Sequence, residues 1–156
     1  MGEMKLESPA FSDGGAIPLK YGCDGEGVSP PLKISGAPNG TKSFALVLDD
    51  PDSPSGKFVH WVAFNVFPGT GAGVSTETTS IPEGTSPGTS GKNSFGRMGY
   101  GGPCPPPGPA HNYRFRVYAL NSTLNLPAGS TREQLDAAMR GHILAQAELK
   151  GKYGGR

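Results

Sequence analysis

No stretch of this 156-residue chain is long and apolar enough to cross a bilayer as a helix. Met1-Gly2-Glu3-Met4-Lys5 opens no signal peptide, so the residues read as those of a cytoplasmic protein. An excess of charge of one sign is missing too, since 14 basic residues face 13 acidic ones for a net charge of +1. Without a basic patch or arginine-rich arm, nucleic acid is a poor candidate partner. Cysteine is scarce. Cys23 and Cys104 lie far apart and form no CxxC pair, and in a cytosolic protein they are expected to stay reduced. The sequence has no P-loop and no GxGxxG fingerprint ahead of a helix, and Ser53 sits in no GxSxG elbow.

Glycine and proline are abundant, at 25 and 16 residues. They fall between apolar runs, which is the pattern of a loop-rich all-β chain. The length suggests a single domain, residues 1–156, large enough to bury roughly 70% of its unfolded surface. Ser43 to Asp49 is apolar at both alternating sets of positions, as a central strand covered on both faces would be. In Phe58 to Val66, strict alternation places Phe58, His60, Val62, Phe64 and Val66 on one face and Val59, Trp61 and Ala63 on the other. In Tyr113 to Leu120, Tyr113, Phe115, Val117 and Ala119 face one way, with Arg114 and Arg116 expected in solvent. Phe11 to Lys20 and Leu32 to Ile34 are weaker strand candidates. Pro68 to Ser94 reads as a long surface loop with a short strand near Thr78 to Ile81. The last element reads as a helix. Ser130 and Glu133 have the spacing of a capping box, and Leu135, Met139, Ile143 and Ala147 recur every four residues.

Two segments look built to meet. Asp49-Asp50-Pro51-Asp52-Ser53-Pro54 precedes His60-Trp61, and Gly99-Tyr100-Gly101-Gly102-Pro103-Cys104-Pro105 precedes His111-Asn112-Tyr113. Each sets a Pro/Gly loop, stiff because proline pins φ, against a strand that carries one histidine. A carboxylate and two imidazoles on such supports make a small polar pocket. Three acids in four positions (Asp49, Asp50, Asp52) also need a cation, a proton or hydrogen-bond donors. A tight return from Asp50 to His60 predicts a cis peptide in this loop, first at Ser53–Pro54 and second at Asp50–Pro51.

Plainer readings stand beside these. The DDPDSP run is ordinary turn chemistry, His60 could be a satisfied core histidine, and His142 reads as a packed helix residue. As an enzyme, the chain offers Asp50, His60 and His111 for a two-histidine, one-carboxylate metal triad. Against that, rigid turns flank the ligands and no His-x-Asp pair sets a facial geometry. Cys104 with His111 could be nucleophile and base, but nothing near Cys104 lowers its pKa.

Further stretches belong with these segments: Tyr21-Gly22-Cys23-Asp24-Gly25 leading to Ser29-Pro30-Pro31-Leu32, Lys42-Ser43-Phe44-Ala45-Leu46, and Val117-Tyr118-Ala119-Leu120. From about Ser8 to Tyr153 the chain resembles the phosphatidylethanolamine-binding protein family, in its bacterial and archaeal, Raf kinase inhibitor-like branch. The resemblance implies a β-sandwich in which a large antiparallel sheet packs on a smaller one, with the C-terminal helix alongside. It also implies a binding protein, with no cofactor, metal or catalytic residue, that takes a small anion or phospholipid headgroup such as phosphorylethanolamine. Such a protein would inhibit a partner kinase or protease and act as a monomer or homodimer. By the same resemblance, Asp50 is the pocket carboxylate and Asp52 its structural neighbour. His60, His111 and Tyr113 are pocket donors, and Gly101 and Pro105 form the wall. The family usually has arginine where this chain has Asn112. With no permanent cation in these motifs, attraction for phosphate should rise as the histidines protonate below about pH 6.5.

Overall fold

In the computed structural model, which describes residues 4–53, 58–67, 78–105 and 108–154, the chain opens with β1 (Lys5–Glu7) and β2 (Gly15–Ala16). A 3-10 turn (Leu19–Tyr21) leads to β3 (Leu32–Ser35), β4 (Ser43–Asp50) and β5 (Phe58–Val66). There follow β6 (Thr78–Ile81), β7 (Thr89–Ser90), β8 (His111–Leu120), α1 (Arg132–Met139) and β9 (Ile143–Tyr153). The strands form a six-stranded sheet, ordered β2-β9-β8-β4-β5-β7, and a three-stranded sheet, ordered β1-β3-β6. All described pairings are antiparallel except β2 with β9.

Every residue of β4 is buried, as its two-sided apolar pattern requires. Phe44, Leu46 and Leu48 join Trp61, Phe115 and Val117 in the core between the sheets, against Leu6, Leu32 and Ile34 of the small sheet. Ala45 and Val47 face the other way, with Val62, Phe64, Tyr118 and Leu120, and α1 closes that side with Leu135 and Met139. Each such large side chain contributes roughly 1.5–3 kcal/mol by leaving water.

Strict alternation fails in β5, because two register shifts interrupt its pairing with β4. Leu48 pairs with Trp61 while Asp49 pairs with Val59, so His60 is an extra residue, a β-bulge. The bulge turns the ring of His60 toward Tyr113, in the inter-sheet cluster, while Val62 and Phe64 pack on the helix side. At the second shift Asn65 adopts φ 54°. Its side chain compensates by donating to Leu124 O at 2.9 Å and accepting from Leu124 N at 2.8 Å. Arg114 is not left to solvent either, since its Nε lies 3.1 Å from Asp49, a carboxylate with no exposure.

The expected long C-terminal helix is corrected. Its capping box sits one residue later, with Thr131 and Gln134, because the Ser130 hydroxyl donates to Pro127 O at 2.7 Å. The helix ends at Met139, ahead of Gly141 at φ 84°, and the last element is the strand β9. Residues four apart share a face in a strand as well as in a helix. Ala145, Ala147, Leu149 and Tyr153 point into the inter-sheet core, whereas Gln146, Glu148, Lys150 and Lys152 face out. His142 therefore lies in the turn before β9, where its Nδ1 is 2.9 Å from Asn121 Oδ1.

The second choice for a cis bond and the expectation of reduced cysteines change. The Asp50–Pro51 peptide is trans, and Ser53–Pro54 lies outside the described residues. Cys23 and Cys104 are joined in a disulfide rather than reduced. Their loops meet regardless of sequence distance: Cys23 N donates to Pro103 O at 3.0 Å, and the Tyr100 hydroxyl to Tyr21 O at 2.7 Å. Gly102 permits this approach, since a Cβ there would stand 2.7 Å from Tyr21 O. Among the described residues no helix is long and apolar enough to cross a membrane.

Candidate functional site

Antiparallel pairing collects the candidate residues at one end of the large sheet. β4 ends there at Asp50, and β5 starts there at Phe58, its partner. β8 starts there as well, because Asp49 pairs with Arg114. Side chains at Asp49 and Asp50 leave on opposite faces, so the acids are divided. Asp49 joins Arg114 and Arg132 on the helix side. Asp50 accepts from His111 Nδ1 at 2.7 Å, from Asp52 N at 2.8 Å and from the Tyr113 hydroxyl. Asp52 Oδ2 in turn accepts from the backbone and side chain of Asn112, at 2.8 and 3.0 Å. These donors hold the exposed Asp52 carboxyl below its usual range. All three carboxylates thus find partners without a metal.

His60, His111 and Tyr113 come together on one side of the sheet. The Tyr113 ring lies 5.4 Å from His60 and 6.4 Å from His111. His60 is nearly buried, and its Nδ1–H donates to Gly101 O at 2.8 Å, while Gly101 N returns a bond to His60 O at 2.8 Å. That tautomer makes Nε2 an acceptor when the ring is neutral. By the same logic, the His111 Nδ1–H donated to Asp50 makes Nε2 the acceptor of the neutral ring. Pro105 packs over Gly154, just past the Tyr153 that pairs with His111. Burial, together with the Asp50 charge, raises the Tyr113 phenol well above its usual range, so it stays a donor.

Burial lowers the His60 pKa below its ordinary value. Above about pH 6.5 both native and unfolded forms are neutral here, and the ring has no effect on the pH dependence of stability. As pH falls further, the unfolded chain takes a proton that the native site resists, so stability drops until the folded pKa is passed. His60→Gln is expected to remove this part of the acid sensitivity. Urea midpoints measured between about pH 5 and pH 7 check it, and parallel slopes for both proteins would rule it out.

Of the aromatic neighbours of the site, Phe58 was placed beside His60 by the sequence, and Phe95 escaped it. Phe58 and Phe95 pack edge to face at 4.9 Å, and both contact His60, at 5.0 and 5.4 Å. Phe95 also covers the Gly101 backbone, where a Cβ would stand 2.5 Å from its ring. The available signal was a lone phenylalanine in the glycine-rich run Asn93-Ser94-Phe95-Gly96, which nothing in local propensity requires. Among the described residues no group of three histidine, cysteine, aspartate or glutamate side chains could hold a metal ion, and Cys104 has no thiol to react.

These features define a two-sheet β-protein with a polar site at the end of the larger sheet, its histidines oriented by a carboxylate and a backbone carbonyl. The chain belongs to the phosphatidylethanolamine-binding protein family, whose profile matches residues 7–154. It is 46% identical to a UPF0098 protein of Methanothermobacter thermautotrophicus, over 96% of this chain and 98% of that one. Among solved structures, it superposes on CT736, a homologue of this family from Chlamydia trachomatis, with a TM-score of 0.90 and 41% identity, covering 100% of both chains. YbcL of E. coli, described as a new member of the mammalian family, gives a TM-score of 0.86 at 29% identity, with 99% of this chain and 100% of that one covered.

Proposed function

We propose that this protein binds a small phosphate-bearing ligand, of the phosphorylethanolamine type, at the cluster of Asp50, His60, His111 and Tyr113, with Gly101 and Pro105 as its wall. The observation that carries this reading is the orientation of His111 by Asp50, at 2.7 Å. It commits one ring nitrogen to the protein and leaves the other, on a half-buried ring, to a ligand. The Asp50 carboxylate can also pair with an amine tethered to the phosphate. Through this binding the protein would inhibit a partner kinase or protease, as the family resemblance implies. Binding is favoured over catalysis because, among the described residues, the site offers no nucleophile beside a free base. The Cys23–Cys104 bond speaks for residence in an oxidising compartment rather than in the cytoplasm expected from the sequence.

Calorimetric titration with phosphorylethanolamine tests the reading. His111→Ala should weaken binding roughly tenfold or more, the worth of a hydrogen bond to a charged group. His142→Ala, in the turn before β9, should leave it unchanged. Equal affinity for the His111→Ala and parent proteins would overturn the proposal.

A further inference from the structure

Beside the polar site lies a second space. A cavity of about 430 Å³ is lined by Phe95, Met98, Tyr100, Gly101 and the Cys23–Cys104 pair, with Arg97 also in its wall. Its size falls within the roughly 300–1,000 Å³ typical of small-molecule sites. Two of its lining residues also touch His60: Phe95 contacts the imidazole, and Gly101 O accepts its proton.

The polar groups around this cavity are already committed. Asn93 accepts from Phe95 N and Arg97 N, at 3.0 and 3.2 Å, and donates to Gly99 O at 3.0 Å. The Tyr100 hydroxyl donates to Tyr21 O. What remains toward the space is aromatic, thioether and disulfide surface, together with the Arg97 cation, and no lining residue is acidic. The Asn93-centred turn also holds Phe95 and Met98 at 43% and 56% exposure, which an apolar ligand group would reduce. A ligand held by its phosphate at His111 could cross the exposed edge of Phe95 and enter.

We infer that this cavity receives the apolar substituent of the anionic ligand, so that the protein selects phosphomonoesters carrying a hydrocarbon chain over inorganic phosphate and short esters. The inference rests on the phosphate reading of the neighbouring site. Phe95 and Met98 are then its specificity-determining residues. A series from ethyl to octyl phosphate, titrated below the micelle-forming concentrations, tests it. Each methylene that enters the cavity should tighten binding by up to about fourfold. Octyl phosphate should therefore exceed ethyl phosphate by more than about tenfold, even after the cost of ordering the chain. Met98→Glu, at a position exposed enough to fold normally, should collapse that octyl-to-ethyl ratio toward one. Ethyl phosphate binding with a flat series, or an undiminished ratio in Met98→Glu, would overturn this inference alone. No binding of any ester, ethyl phosphate included, would overturn the phosphate reading and this inference with it.

Discussion

Asp49→Asn is expected to lower the stability of the fold by about 3–5 kcal/mol, the range for removing one partner from a buried ion pair. Asp49 is wholly buried in β4 and faces two arginines. Arg114 Nε is 3.1 Å from one carboxylate oxygen and Arg132 Nη1 is 3.4 Å from the other. Asparagine keeps the shape but removes the charge, leaving two guanidinium groups at 25% and 10% side-chain exposure. Arg132 retains Asp136 at 2.8 Å, but that carboxylate is itself 46% exposed and compensates weakly. Among the described residues Arg114 forms no second ion pair, although its charge also acts on Asp52. For a chain of this length the loss corresponds to a melting temperature lower by about 6–20 °C. Urea unfolding should show the shift in midpoint without a change in slope. A loss below about 1 kcal/mol would mean that both arginines reach water without the carboxylate, and that the cluster contributes little.

The same cluster illustrates what the sequence conveyed and what it withheld. The two-sided apolar run of β4 and the period-two pattern of β8 specify strands because they report burial directly, and both strands lie where those patterns place them. Pairing β4 with β5 and β8 then brings Asp50, His60 and His111 to one end almost as a matter of topology. The partners of the acids were not legible, because Arg132 joins Asp49 from an element 83 residues away. Local alternation also could not show the bulge at His60, since an inserted residue changes its facing without changing composition. The error over the last element has a similar origin. Leu135, Met139, Ile143 and Ala147 fit a helix, and the feature that divides them is one backbone conformation, Gly141 at φ 84°. Beyond it the alternation Ala145, Ala147, Leu149, Gly151, Tyr153 is complete, and Gly151 is small because Ile17 and Phe11 occupy the space a Cβ would need. The disulfide depends on tertiary contact altogether, since two cysteines with no local motif show their proximity only after the sheets have formed.

That disulfide underlies the other large effect. Replacing both cysteines, as Cys23→Ser with Cys104→Ser, should cost about 2–4.5 kcal/mol. The upper value is the chain-entropy limit for closing a loop of this length. The bond spans 81 residues, taking in β3 to β7, so its loss frees a large part of the unfolded chain. The native contact itself should survive, because Cys23 N still donates to Pro103 O and Tyr100 to Tyr21 O. Both cysteines are exposed, so the serines require no buried cavity or unpaired hydroxyl. Most of the effect should therefore lie in the unfolded state, and the parent protein unfolded in excess dithiothreitol should match the double variant. A function-level consequence follows from position. The loop that Cys104 anchors carries Gly101, whose carbonyl holds the His60 proton. Releasing that anchor should make His60 easier to reorient and weaken phosphorylethanolamine binding, while the Asp50–His111 contact on the strands persists. A double variant with parental stability would show that the backbone hydrogen bonds alone fix the two loops. A stability loss of the expected size with unchanged affinity would show instead that the Gly101 carbonyl keeps its place through Phe95 and β5 rather than through the covalent bond.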